Sequence, residues 1–349
     1  MLDSSKTIAI FAEATMGLLN AKMAEGILRY GANPIAAVID SKKAGHTVSE
    51  VTTVKSNVPI VATLDEAIER GATVLVLGTA PSGGRIPKEW MIVLEHALES
   101  GMSIVNGMHD PLKSMLSRNL GPDQFIWNIR TPQGDMPSIA MARAATLENT
   151  RVLMVGTDMA VGKMSAGLEL TRSLKSLGED AEFLASGQTG ITITGKGIPL
   201  DAFRVDHAAG AVERMVLEAA KHDIVVIEGQ GSLLHPGSTA TLPLMRGSCC
   251  TDMVLCHRAG MDSLDTLDDV RVPPINDVIA LNESVAQAAG ALTESKVRAI
   301  ALNTAGLSDA NALAAIDAIR SETQLPVTDP VRYGADELAT AIKGAHYSR

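Results

Sequence analysis

Two kinds of hydrophobic run alternate along the chain. TIAIFA at 7–12, IAAVID at 35–40, PIVA at 59–62, VLVLGTAP at 74–81 and MSIVNG at 102–107 are short, continuous and partly β-branched, as strands buried on both faces are. Between them, LLNAKMAEGILRYG at 18–31, DEAIERG at 65–71 and the stretch 88–101 place apolar residues at helical spacing, the first closing on Gly31. A second series begins at RVLMVG, 151–156, and continues through a helix at 163–177 and the runs EFLASG, DIVVIEG (223–229), MVLCHRAG (253–260) and VRAIALNTAG (297–306). A last helix near 335–344 is expected to dock on the second sheet.

Strands alternating with helices predict an α/β protein built on parallel sheets. The expected organisation is an N-terminal Rossmann-like domain over 1–145 and a C-terminal P-loop NTPase-like domain over 146–349. PDQFIWNIRTPQGDMPS, 122–138, holds three prolines and little periodicity, and reads as an extended connection between the halves.

Composition narrows the function classes. Hydrophobic residues make up 46% and charged residues 20%, and no apolar run reaches the length of a membrane span, so a globular protein without a membrane partner is expected. The formal charge of -10 carries no Lys/Arg cluster and aromatics are only 3%, which disfavours nucleic acid as a partner. Three cysteines, Cys249, Cys250 and Cys256, suit neither a disulfide framework nor a zinc site; reduced thiols in a cytoplasmic enzyme are expected, with no structural metal. Cytosolic enzymes of this size are commonly symmetric homo-oligomers, and that is the expectation here.

The strongest motif is GTDMAVGKMS, comprising Gly156, Thr157, Asp158, Met159, Ala160, Val161, Gly162, Lys163, Met164 and Ser165. A strand, a glycine-bounded loop and a lysine opening a helix cradle anionic oxygens with backbone N–H groups, and the lysine adds a mobile positive charge. The loop is one residue longer than GxxxxGK[ST], and Met164 stands where a Mg²⁺-binding hydroxyl would be.

Glu228 follows a buried strand where a carboxylate faces the P-loop, and is the first candidate for a catalytic base; a strand-end ion pair is its alternative role. Asp158 and His235 are the further catalytic candidates. For a substrate's carboxylates, the Gly-rich segment after EFLA offers Gln188, Thr189 and Gly190, and the segment after Glu228 offers Gln230, Ser232 and Ser238. Arg246 and, from the 78–87 loop, Arg85 supply cations, with Lys196 a third.

GTDMAVGK resembles the GTDxxVGK loop of dethiobiotin synthetase, a likeness that implies ATP phosphates on the loop and a role for Asp158 in holding Mg²⁺. Taken together, GTDMAVGKM, SGQTGITITGKGIPLD, VIEGQGSLLHPGSTATLPLMRGS and LCHRAG resemble a two-domain family long labelled as of unknown function. Its characterised members are D-glutamate N-acetyltransferases. That resemblance implies acetyl transfer from acetyl-CoA, the cosubstrate, to the amine of D-glutamate in D-amino acid catabolism. A P-loop can hold the phosphates of CoA without hydrolysing anything, so the absent hydroxyl at Met164 is compatible with it. The competing expectations are a Mg-ATP-dependent ligase or kinase acting on a small carboxylate, and a non-catalytic nucleotide or CoA sensor.

Overall fold

The computed structural model describes residues 2–348 apart from 80, 82, 117, 118, 133 and 266. The chain divides into two units, Met1–Gln133 with Gln188–Ala202, and Gly134–Gly187 with Phe203–Arg349.

In the first unit six strands form one sheet: β1 (Ile8–Phe11), β2 (Ile35–Ile39), β3 (Ile60–Val61), β4 (Val74–Leu77), β5 (Ser103–Asn106) and β6 (Ile126–Asn128). Their order is β3-β2-β1-β4-β5-β6, and every neighbouring pair is parallel. IAIF of β1 and VLVL of β4 are buried throughout, as strands covered by helices on both faces must be. Phe11 packs edge-on against Trp90, with ring centroids 5.0 Å apart, in a core that also takes Leu75, Leu77, Leu94 and Ile104.

The second unit repeats this plan with β7 (Thr150–Gly156), β8 (Ala181–Leu184), β9 (Ile224–Ile227) and β10 (Asp252–Arg258), a small antiparallel pair β11 (Ser263–Leu264) and β12 (Leu267–Arg271), then β13 (Lys296–Asn303) and β14 (Val327–Thr328). The parallel sheet runs β14-β13-β10-β7-β9-β8, so β7, which feeds the P-loop, is flanked by β10 and β9. The α/β class with two parallel six-stranded sheets is therefore as expected from the hydrophobic runs. The C-terminal helix, Asp336–His346, packs on β13 and on the helix Lys163–Ser176 of the second unit.

Two local expectations need correction. The proline-bearing stretch 122–138 is not wholly a connection, because Ile126–Asn128 completes the first sheet by pairing with β5; its residue 133 lies outside the described residues. Residues beyond it lie along the helix Val205–Glu218 of their own unit. The fully buried Glu213 there accepts the amides of Met141 and Arg143 and binds the Arg143 side chain at 2.8 Å. The Gly-rich segment expected as a loop contains a helix, Gln188–Thr194, which packs against the helix Lys22–Tyr30 in the first unit. Its apolar anchor is the buried Ile191. The packing outweighs the poor helix propensity of Gly190 and the β-branched run ITIT.

Candidate active site

At the carboxyl end of β7 the chain turns through the P-loop into the helix Lys163–Ser176. Gly162 precedes that helix at φ +106°, a backbone conformation that side-chain-bearing residues rarely adopt. Among the described residues no side chain caps the helix at Gly162, and the first-turn amides of Lys163, Met164 and Ser165 have no acceptor within the helix itself. Such N–H groups, together with the helix dipole, favour an anion.

Lys163 bends back over this loop, and its Nζ donates to the carbonyls of Asp158 at 2.6 Å and Met159 at 2.9 Å. Burial pushes its pKa down from 10.5 to about 8, partly countered by Cys256, Asp158 and Glu228. A lysine so desolvated gains more from a phosphate oxygen than a solvated one does. The neighbouring Cys256 thiol is itself buried, and its pKa rises to about 12, so it takes no part as a thiolate.

Glu228 stands at the end of β9 and is almost wholly buried. Its Oε2 accepts the amides of Ser186 at 2.7 Å and Gly187 at 3.0 Å, and its carbonyl accepts the Ser186 hydroxyl at 2.8 Å. Among the described residues no group donates to Oε1. Burial raises the carboxyl pKa from 4.5 to about 7, against the lowering effect of the two amides and Lys163. A carboxylate with one oxygen fixed, the other uncommitted and a pKa near neutrality has the properties of a general base. The backbone passes close to it: a methyl group on Gly229 would collide with the Met154 carbonyl and reach 2.9 Å from Lys163 Cδ.

Both carboxylate oxygens of Asp158, the acid expected to act in catalysis or to hold Mg²⁺, accept backbone amides. One oxygen accepts the Met159 amide at 2.6 Å and the other accepts the Asp265 amide at 2.8 Å. It therefore shapes the P-loop and ties it to the segment after β10. His235 is buried, and its Nδ1 accepts the Gly237 amide at 3.1 Å. That bond fixes the neutral ring's proton on Nε2.

Ser232 and Ser238 brace the segment after Glu228. The Ser232 hydroxyl donates to the Thr157 carbonyl at 3.0 Å, and its amide donates to Ser238 Oγ at 3.1 Å. Gln230 lies against Gly187, its carbonyl held by Thr241 Oγ1 at 2.9 Å. These residues, Glu228 and the P-loop belong to one unit.

Arg246 is exposed in the last turn of the helix Thr241–Ser248, which leads toward the start of β10 and so to the sheet edge opposite the P-loop. Gln188, Thr189 and Gly190 open the helix that packs in the first unit, which also holds the exposed Arg85 and Lys196. Positions 80 and 82 of the Arg85 loop lie outside the described residues.

Sequence reasoning passed over the Ser186 and Gly187 amides and His257. His257 Nδ1 meets Thr157 Oγ1 at 3.0 Å, and burial, followed by Arg258, lowers its pKa to about 4, so it is neutral. The signal for it was its place directly after the buried run MVLC, one strand away from the P-loop strand.

A parallel sheet whose central strand feeds an uncapped P-loop, beside a buried carboxylate, defines a P-loop α/β protein. The chain belongs to the DUF1611 family. Residues 138–339 match the "Domain of unknown function (DUF1611_C) P-loop domain", and residues 41–132 the "Domain of unknown function (DUF1611_N) Rossmann-like domain". A crystal structure of a DUF1611 family protein from Anabaena variabilis superposes with a TM-score of 0.93 at 46% identity, covering 97% of this chain and 100% of the other. Two curated relatives carry the name D-glutamate N-acetyltransferase. The one from Tritonibacter scottomollicae is 34% identical over 80% of this chain and 84% of its own length; the one from Pseudoalteromonas sp is 33% identical over 79% and 83%. Among the described residues no helix is long and apolar enough to cross a membrane.

Proposed function

We propose that the protein is an N-acetyltransferase that passes the acetyl group of acetyl-CoA to the amine of D-glutamate. The relatives' names support the reaction, and the buried Glu228 carboxylate, anchored on Oε2 and uncommitted on Oε1, is the observation that carries the mechanism. The P-loop amides and Lys163 hold CoA phosphates. No hydrolysis is asked of them, so Met164 in the hydroxyl position is no handicap.

Glu228 accepts a proton from the D-glutamate ammonium, leaving a neutral amine to attack the thioester carbonyl. The N–C bond forms, the tetrahedral oxyanion collapses, the C–S bond breaks, the proton on Glu228 passes to the departing thiolate, and the second proton of the new amide nitrogen is released to water. The Glu228 pKa of about 7 suits both directions of transfer.

Incubating the protein with acetyl-CoA and D-glutamate while following free thiol tests the reading. Thiol release that depends on D-glutamate is expected. Release no faster than hydrolysis, or ADP formed from Mg-ATP in a D-glutamate-dependent way, would overturn it.

A further inference from the structure

Gly187 marks a point where two side chains of the second unit converge. A methyl group on it would collide with Gln230 Nε2 and stand 3.3 Å from Glu228 Oε1. The missing side chain at this position is what lets the Gln230 amide lie beside the uncommitted oxygen of the base.

The backbone that carries Gln230 is held on both sides. Its carbonyl accepts the Thr241 hydroxyl at 2.9 Å. Before it, Gly229 passes against the Met154 carbonyl of β7, where a methyl group could not fit. After it, Gly231 takes φ +68°, and the Ser232 hydroxyl donates to the Thr157 carbonyl of the P-loop at 3.0 Å. The Gln230 side chain is half-buried, and among the described residues no acceptor meets its Nε2. A donor fixed by its backbone and not spent on the protein is preorganised for a ligand.

Acetyl transfer requires such a donor at this place. As the amine nitrogen attacks, negative charge develops on the thioester carbonyl oxygen. That oxygen is bonded to the same carbon as the attacking nitrogen, and the nitrogen is the atom whose proton Glu228 Oε1 takes. The group that stabilises the oxyanion therefore has to stand close to Oε1. The other donors described around Glu228 are engaged: the Ser186 and Gly187 amides on Oε2, and Lys163 Nζ on the carbonyls of Asp158 and Met159.

We propose that Gln230 Nε2 is the oxyanion donor of the reaction, set beside the base by the absence of a side chain at Gly187. The inference rests on the acetyl-transfer reading of the same site. It changes the role expected for Gln230 from holding a substrate carboxylate to touching the reacting carbonyl. Glu228 removes the ammonium proton, the nitrogen bonds to the carbonyl carbon, and the carbonyl π pair becomes a lone pair on the oxygen that faces Nε2. On collapse that pair re-forms the C=O bond and the C–S pair leaves with sulfur. Glu228 returns its proton to the thiolate and the second nitrogen proton goes to water. Gln230 donates a hydrogen bond throughout and gives up no proton.

Steady-state kinetics of the full-length protein with acetyl-CoA and D-glutamate, for the wild type, Gln230→Met and Gln230→Ala, test this. Methionine keeps the length of the side chain and alanine does not, but both remove the donor. Each variant is expected to lower kcat by about 10²–10³-fold, the loss that follows removal of one oxyanion donor. The KM for D-glutamate should stay nearly unchanged, and the pH break set by Glu228 should persist near 7. A raised KM for D-glutamate at wild-type kcat, the signature of a carboxylate contact, overturns the oxyanion role. So does a wild-type rate in either variant, or loss of the pH break in both; each of these leaves the acetyl-transfer reading intact. If the wild type releases no thiol in response to D-glutamate, that reading fails and the inference with it.

Discussion

The loop after β1 and the loop after β7 occupy corresponding places in two parallel sheets, yet only the second has the sequence of a P-loop. In the first, the Asp40 carboxylate at the end of β2 is fully buried. It accepts the amides of Thr15 at 3.1 Å, Met16 at 2.9 Å and Lys42 at 2.9 Å. The loop's donors are satisfied by the protein's own acid. In the second, the acid Asp158 sits within the loop itself and takes the Met159 and Asp265 amides; among the described residues no side chain caps the helix that follows either loop. Lys163 bends back over its own loop, whereas Lys22, which opens the helix after the β1 loop, is exposed. Sheet topology provides both positions; the buried lysine folded over the second loop, beside helix amides that favour an anion, sets it apart.

The sharpest way to test the second region is to remove its base. Glu228→Gln should lower kcat by about 10²–10⁴-fold, the usual contribution of a general base, with the CoA Kd nearly unchanged. The same variant carries a stability signature. Because burial raises the folded pKa of Glu228 from 4.5 to about 7, the folded state holds this proton more tightly than the unfolded chain. Stability is therefore lost as pH rises from the unfolded value through the folded one. Glu228→Gln should unfold at a higher temperature than wild type at about pH 8, by a free energy on the order of 3 kcal/mol at most, with the gap closing toward about pH 4. Thermal melts at both pH values check it.

Lys163→Ala comes next in size. Losing one charge-assisted donor to phosphate, worth about 1.5–3 kcal/mol, should weaken CoA binding by about 10–100-fold in a titration. The wild type should show a related pH dependence. Lys163 titrates near 8 when the loop is free, and a bound phosphate raises that value. Binding then takes up a proton above about pH 8, so the CoA Kd should grow by up to about tenfold per pH unit beyond it.

The smallest expected effect on binding belongs to the first region. Asp40→Ala leaves the buried Met16 amide unpaired, the amides of the half-buried Thr15 and the exposed Lys42 losing the same partner, and should cost about 1–3 kcal/mol of stability, read as a lower denaturant midpoint, while the CoA Kd stays the same. A change in CoA affinity comparable to that of Lys163→Ala would break the contrast between the loops.

Much of this was legible in the sequence. The runs VLVL and VLMVG are continuous because both their faces are covered, and GTDMAVGK contains the glycine, the lysine and the strand-to-helix context of a phosphate loop. Glu228 was singled out from its place after IVVI, and it is buried at the end of that strand. What escaped depended on pairing partners far away in the chain. IWN becomes a strand only because β5 lies beside it, and Gln188–Thr194 becomes a helix only by packing on Lys22–Tyr30. The engagement of Asp158 by Asp265 spans 107 residues, and no local spacing reveals it. Arg246 illustrates the converse: it is near Glu228 in sequence, but an intervening helix carries it toward the other edge of the sheet.

The most direct measurement is the pH profile of kcat/KM for D-glutamate acetylation by the wild type and by Glu228→Gln. If Glu228 is the base, the wild-type rate rises with pH and the profile breaks near 7, where the buried carboxyl ionises, and the break is absent from the residual activity of the variant. A break that persists unchanged in Glu228→Gln, or a variant as fast as the wild type, contradicts the account.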